Sequence, residues 1–173
     1  ENASFQRDLL VARSKLGNIE RKEGMLDKAA ATFRSCVESC ETLEKIPQSG
    51  AQKRDRSVML NKLGTVLFEQ SKLKEAAEAF AVGMQIAREV VEAEPTNATA
   101  RRDLAISLKY LGDVAKKNDD RTSARTYFNE SLAIRRELAS ADQSRSAKRT
   151  ARRAICSGVH LRKAAISCEI GRA

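Results

Sequence analysis

The chain has 173 residues, 42% hydrophobic and only 4% aromatic, with no Trp, a size and make-up that suit one domain or a short array of helical repeats. No apolar run reaches the roughly 18 residues that a membrane-spanning helix needs, and the start shows no basic-then-apolar leader pattern. The net charge of +9 is uneven: residues 1–142 hold 24 basic and 22 acidic residues, whereas residues 143–173 hold eight basic residues and one acid, Glu169, so a nucleic-acid binder with a basic body is excluded.

The chain opens at Glu1 in phase with an internal repeat, as a mature form or an excised piece of a longer protein would. The first unit, about residues 2–48, carries Leu16-Gly17, Gly24, Leu26, Ala29 and Phe33. Cys36 and Cys40 follow one helical turn apart, and Pro47 closes the unit. The second unit, about 49–95, repeats the skeleton as Leu63-Gly64, Ala76 and Phe80. Its apolar residues Val58, Leu60, Leu63, Leu67 and Phe68 fall at helical spacing, which predicts a helix from about Lys53 to Gln70. A polar turn follows, and Ala76, Phe80, Met84, Ile86 and Val90 predict a second helix from about Leu73 to Ala93. Pro95 ends it, and Thr96 or Asn97 is placed to cap the next helix. The third unit, about 96–142, keeps Leu111-Gly112, Ala124 and Phe128. Arg7-Asp8, Arg54-Asp55 and Arg102-Asp103 recur in the same register. Periodicity of this kind marks a repeat architecture.

A glycine inside a helix costs about 1 kcal/mol relative to alanine. Three in phase point to a close approach of two helices, with Ala29, Ala76 and Ala124 as the small residues opposite and the three phenylalanines as bulk between neighbouring pairs. Beyond residue 142 the Leu-Gly anchor is lost. Ile155, Val159, Ile166 and Ile170 still fall on one face, which predicts a separate amphipathic helix over 143–173 that caps the stack, because the last pair of an array otherwise exposes its apolar side.

Catalytic and metal chemistry find no support. His160, the one histidine, lies one turn from Cys156, but no oxyanion hole or orienting carboxylate accompanies them. A zinc site joining them to Cys36 and Cys40 would need the first unit to meet the last, which a solenoid keeps apart. Cys156 and Cys168, about 18 Å apart along one helix, are too distant for a disulfide. The expectation is reduced, buried thiols in a cytoplasmic protein that is not an enzyme and holds no cofactor or metal. The tripeptides at Asn2, Asn97 and Asn129 are short enough to arise by chance and are not read as glycosylation sites.

The order Leu-Gly, Gly, Leu, Ala, Phe resembles the tetratricopeptide repeat. The turn glycine is Gly24 in the first unit, with Ser71 and Asp119 at that place later. The family's first-helix Trp is absent, and Arg13, Leu60 and Leu108 stand there. Units of 47 to 48 residues resemble the long form of kinesin light chain and of bacterial multi-repeat regulators. The resemblance implies an all-α, right-handed solenoid of three helix hairpins, here followed by the capping helix, whose first helices line a concave face that binds a peptide or helix segment, as in a scaffold or adaptor. Carried over by position, the groove set is Val11, Ser14, Asn18, Arg21 and Lys22 in the first unit. The second unit gives Val58, Asn61, Thr65, Phe68 and Glu69, and the third gives Ile106, Lys109, Asp113, Lys116 and Lys117. Asn18 and Asn61 are expected to grip a peptide backbone. The lysines of the third unit favour an acidic partner. The family's clamp for a C-terminal carboxylate is not reproduced, since only Asn18 stands at a matching position. Nucleic-acid binding through the basic segment 143–173 and self-association through an open end of the stack are the alternative readings.

Overall fold

The computed structural model describes residues 3–44 and 50–170, with residues 3, 43, 44, 50, 51, 145, 147, 148 and 150–170 described by their backbone alone. Among the described residues the chain is all-α. Its helices are α1 (Ala3–Lys22), α2 (Leu26–Glu44), α3 (Gly50–Glu69), α4 (Leu73–Ala93), α5 (Ala98–Lys117) and α6 (Arg121–Ile170). The chain divides into two units, residues 1–135 and 136–173. The first is a solenoid of helical hairpins, α1–α2, α3–α4 and α5–α6. What is described of the second is the C-terminal part of α6.

Each hairpin turns by the same device. The second residue after the first helix is left-handed in all three units, with φ of 77° at Gly24, 61° at Ser71 and 62° at Asp119. Its N–H donates three residues back, from Gly24 to the Arg21 carbonyl at 3.1 Å, from Ser71 to Phe68 at 3.0 Å and from Asp119 to Lys116 at 3.2 Å. The next N–H donates five residues back, Met25 to Glu20, Lys72 to Leu67 and Asp120 to Ala115, each at 2.9 Å. This double closure satisfies carbonyls that the helix end leaves open. Before α5, Asn97 takes up the expected cap: its side-chain oxygen accepts from the N–H groups of Thr99 and Ala100, both at 3.1 Å.

The in-phase glycines mark a close approach, with a different occupant from the one expected. A Cβ on Gly17 would lie 2.9 Å from the Phe33 ring, and one on Gly64 or Gly112 would lie 2.6 Å from the ring of Phe80 or Phe128. The phenyl ring of the same hairpin, not the alanine, claims the space. Phe33 and Phe80 are fully buried beside Ala29, Ala30, Leu63, Val66, Ala76 and Leu111 in one core that runs from hairpin to hairpin. Cys36 and Cys40 pack with Leu10 and Met59 as buried thiols.

The expected break near residue 143 is absent, and α6 runs on to Ile170. Every earlier helix ends at a left-handed turn residue or shortly before a proline, whereas residues 121–157 contain neither Gly nor Pro. With no breaker, a stretch rich in Ala, Arg and Lys continues as helix. The side chains of the expected capping face, Ile155, Val159, Ile166 and Ile170, and those of Cys156, His160 and Cys168 lie outside the described residues.

Candidate functional site

The first helices α1, α3 and α5 lie side by side, and polar residues about one repeat apart join them. Arg7 Nε donates to Asp55 Oδ2 at 2.9 Å, and Arg54 Nε donates to Asp103 Oδ2 at 2.5 Å. This explains the recurrent Arg-Asp pair: the arginine of one unit meets the aspartate of the next. Arg21 pairs with Glu69 at 2.6 Å, Lys62 Nζ donates to Ser14 Oγ, and Asn61 Nδ2 donates to Ser107 Oγ at 2.8 Å.

Between α3 and α5 this row opens into a cavity of about 190 Å³ lined by Val58, Asn61, Lys62, Thr65, Asp103, Ile106 and Tyr110. Val58, Asn61, Thr65 and Ile106 were anticipated from the sequence; Lys62, Asp103 and Tyr110 were not. Lys62 and Tyr110 immediately precede the Leu-Gly anchors, so their phase was visible. What was hidden is that this phase points along the row of first helices. The Tyr110 ring stacks on Phe80, with centroids 4.8 Å apart and planes 12° off parallel. Lys109 Nζ sits 4.8 Å from the centroid of the Tyr110 ring and pairs with Asp113 at 2.5 Å.

The remaining carried-over residues divide by exposure. Val11, Lys22, Lys116 and Lys117 are exposed, Asn18 is half-buried, and Phe68 packs partly against the core. Ser14 and Asn61 are buried. The Asn61 amide N–H is committed to Ser107, and its Oδ1 lies on the α4 side, 3.3 Å from where a Cβ on Gly83 would stand. The Asn61 amide N–H thus ties the second hairpin to the third, while the residue also lines the cleft.

Charge in the row is not balanced. Asp55, Glu69, Asp103 and Asp113 each hold an ion pair. Lys22, Lys62, Lys116 and Lys117 hold none among the described residues. Burial pushes the Lys62 ammonium below its usual value; attraction from Cys36 opposes this, and repulsion from Arg21 adds to it. The half-buried ammonium is held by the Ser14 hydroxyl and lies 5.8 Å from the Phe33 ring, both in the first hairpin. Among the described residues no group of three His, Cys, Asp or Glu side chains could hold a metal ion. No described helix is long and apolar enough to cross a membrane.

A sequence model of the tetratricopeptide repeat family matches residues 58–96. Among solved structures, the TPR domain of Arabidopsis FLU is similar with a TM-score of 0.60 at 17% identity, covering 74% of this chain and 95% of that one. The N-terminal domain of stress-induced protein-1 (STI-1) from C. elegans is similar with a TM-score of 0.57 at 22% identity, covering 83% of this chain and 98% of that one. A comparison with curated protein sequences finds no match.

Proposed function

We propose that the chain, which matches the tetratricopeptide repeat model over residues 58–96 and shares the fold of tetratricopeptide repeat domains, is a non-catalytic protein-binding module, a scaffold or adaptor whose partner seats an acidic segment along α1, α3 and α5. The observation that supports this reading is the cleft between α3 and α5: apolar at Val58, Ile106 and Tyr110, with its carboxylate Asp103 already paired and its lining residue Lys62 bonded to the Ser14 hydroxyl but to no carboxylate. Apolar lining supplies contact area, and a few placed polar groups fix orientation. Lys22 in the last turn of α1 and Lys116 and Lys117 in the last turn of α5 add exposed positive charge to the first helices, which speeds encounter with an acidic partner more than it tightens the complex. Both solved relatives share the helical-hairpin fold, and protein binding is the common use of that fold.

The test is capture from a native lysate, read by mass spectrometry, with the wild type beside a Lys22→Gln, Lys116→Gln, Lys117→Gln variant of unchanged helicity. The proposal expects an acidic protein that the wild type retains and the variant loses, with retention falling as salt rises. Equal retention by both overturns the role of the lysines. Capture dominated by nucleic acid would instead move the function to the basic segment 143–173, whose eight basic residues against one acid favour that second reading.

A further inference from the structure

The two ends of the hairpin stack expose complementary halves of an interface that the chain already makes twice inside itself. On α1, Phe5, Leu9, Leu16 and Ile19 are exposed by 72, 44, 51 and 52%. They occupy one helical face. The residues in the same register on α5 are Ala100, Leu104, Leu111 and Val114, exposed by only 1, 5, 6 and 3%. On α3 the last two positions are Leu63 and Val66, also buried. The difference is what lies against them: α2 covers α3 and α4 covers α5, while the same face of α1 is open.

The other end mirrors this. Phe33 and Phe80 are fully buried, but Phe128 is only partly so. Val37 and Met84 pack into the core that α2 and α4 share with the following first helix. Their counterpart on α6, Leu132, is 44% exposed. Cys40 and Ala87 are buried in that seam, and their counterpart Arg135 is exposed. Arg135 would fall opposite Ala12, a small exposed residue at the place of Met59 and Ser107, so a long side chain has room there. The ion-pair row continues in the same sense. Arg7 meets Asp55 and Arg54 meets Asp103, which leaves Asp8 at one end and Arg102 at the other, both exposed and without an ion pair among the described residues.

We propose that a second copy of this chain covers these ends, with α6 of one copy seated on the α1 face of the next, so that the stack of hairpins continues from molecule to molecule. The contact is heterologous: the two surfaces differ, and the arrangement does not close on a dimer. It extends an interface of known geometry and hides large apolar side chains that single soluble domains rarely group on one face. The surface is separate from the cleft between α3 and α5, and it stands whether or not that cleft binds an acidic partner.

Light scattering over a concentration series of the full chain tests it. The wild type is expected to exceed the monomer mass of 19.1 kDa increasingly with concentration. A Leu16→Glu, Ile19→Glu variant, altered at the α1 face, and a Leu132→Glu variant, altered at the α6 face, are each expected to remain monomeric. All three substitutions fall on exposed positions, and circular dichroism checks that helicity is kept. Mixed together, the two variants retain one intact surface each, so they are expected to form a one-to-one dimer and nothing larger. Asp8→Arg and Arg102→Asp should each weaken association singly and restore it when combined. A wild type that stays at monomer mass at every concentration overturns the proposal, as it would if the segment beyond residue 135 capped α6 within one chain. So does an α6 variant that still dimerises while the α1 variant does not, which would mean that α1 faces pair with each other.

Discussion

Gly64→Ala sets two rules against each other. In an exposed helix, replacing glycine by alanine stabilises by about 1 kcal/mol. Here the new methyl carbon would lie 2.6, 2.7 and 2.9 Å from Cε1, Cδ1 and Cζ of Phe80, about 1 Å inside ordinary contact. Phe80 cannot yield easily. It is 1% exposed, stacked on Tyr110 and enclosed by the residues of two hairpins. Overpacking of a rigid core site costs about 1–3 kcal/mol, and a methyl driven into a ring face belongs at the upper end. Setting about 3 against the 1 gained from propensity leaves a net loss of about 2 kcal/mol. Urea unfolding followed by circular dichroism reads this as a lower midpoint at unchanged slope. Shortening the ring in a Gly64→Ala, Phe80→Leu double variant should cost less than the sum of the two single changes, because the smaller side chain vacates the space the methyl needs. A Gly64→Ala protein more stable than the wild type would refute the close-approach reasoning, and with it the account of why the Leu-Gly anchor recurs.

Ser71 holds φ at 61° where the first hairpin has a glycine, so Ser71→Gly is expected to raise stability by about 1 kcal/mol, read as a higher unfolding midpoint. Lys62→Met removes a half-buried ammonium while keeping the stem that crosses Phe33; stability should hold or rise while retention of an acidic partner falls, and loss of both together would argue that Lys62 is only structural. Burial raises the Cys36 thiol above its usual value, with Arg13 and Lys62 opposing. Native Cys36 should therefore resist alkylation, mapped by mass spectrometry, until the protein unfolds. The linkage has a definite sign: the neutral thiol is favoured in the folded state, so its contribution to stability is complete below the unfolded thiol's pKa and declines as pH rises toward the raised folded value.

The hairpins were legible because their signals are local. Leu-Gly, the small residue and Phe recur in phase, and helix ends carry Pro95 and the Asn97 cap, so α4 falls at the predicted Leu73–Ala93. The turns at Ser71 and Asp119 were placed by register, but their left-handed backbone, the same as at Gly24, was not legible, since serine and aspartate signal it less strongly than glycine. The course of α6 was misread for the opposite reason: a lost anchor suggested a new element, although no residue there stops a helix. The binding face was half legible. Which residues lie on the first helices follows from register, but Asn61 and a groove asparagine that faces solvent look alike in sequence. Only the placement of Ser107 and Gly83 shows that Asn61 points inward. The Arg-Asp recurrence was visible as a pattern, and its meaning as an inter-repeat ion-pair row needed the side-by-side packing of α1, α3 and α5.

The most direct test of the central claim is site-specific photo-crosslinking in the native lysate, with the crosslinker placed at Thr65 in the cleft or at Val82, exposed on the second helix α4. The account predicts an adduct to one acidic protein from Thr65 and none from Val82, with the Thr65 adduct weakened by Lys22→Gln, Lys116→Gln, Lys117→Gln. Adducts to the same protein from Val82 alone, or equally from both positions, would contradict it and place the partner away from the row of first helices.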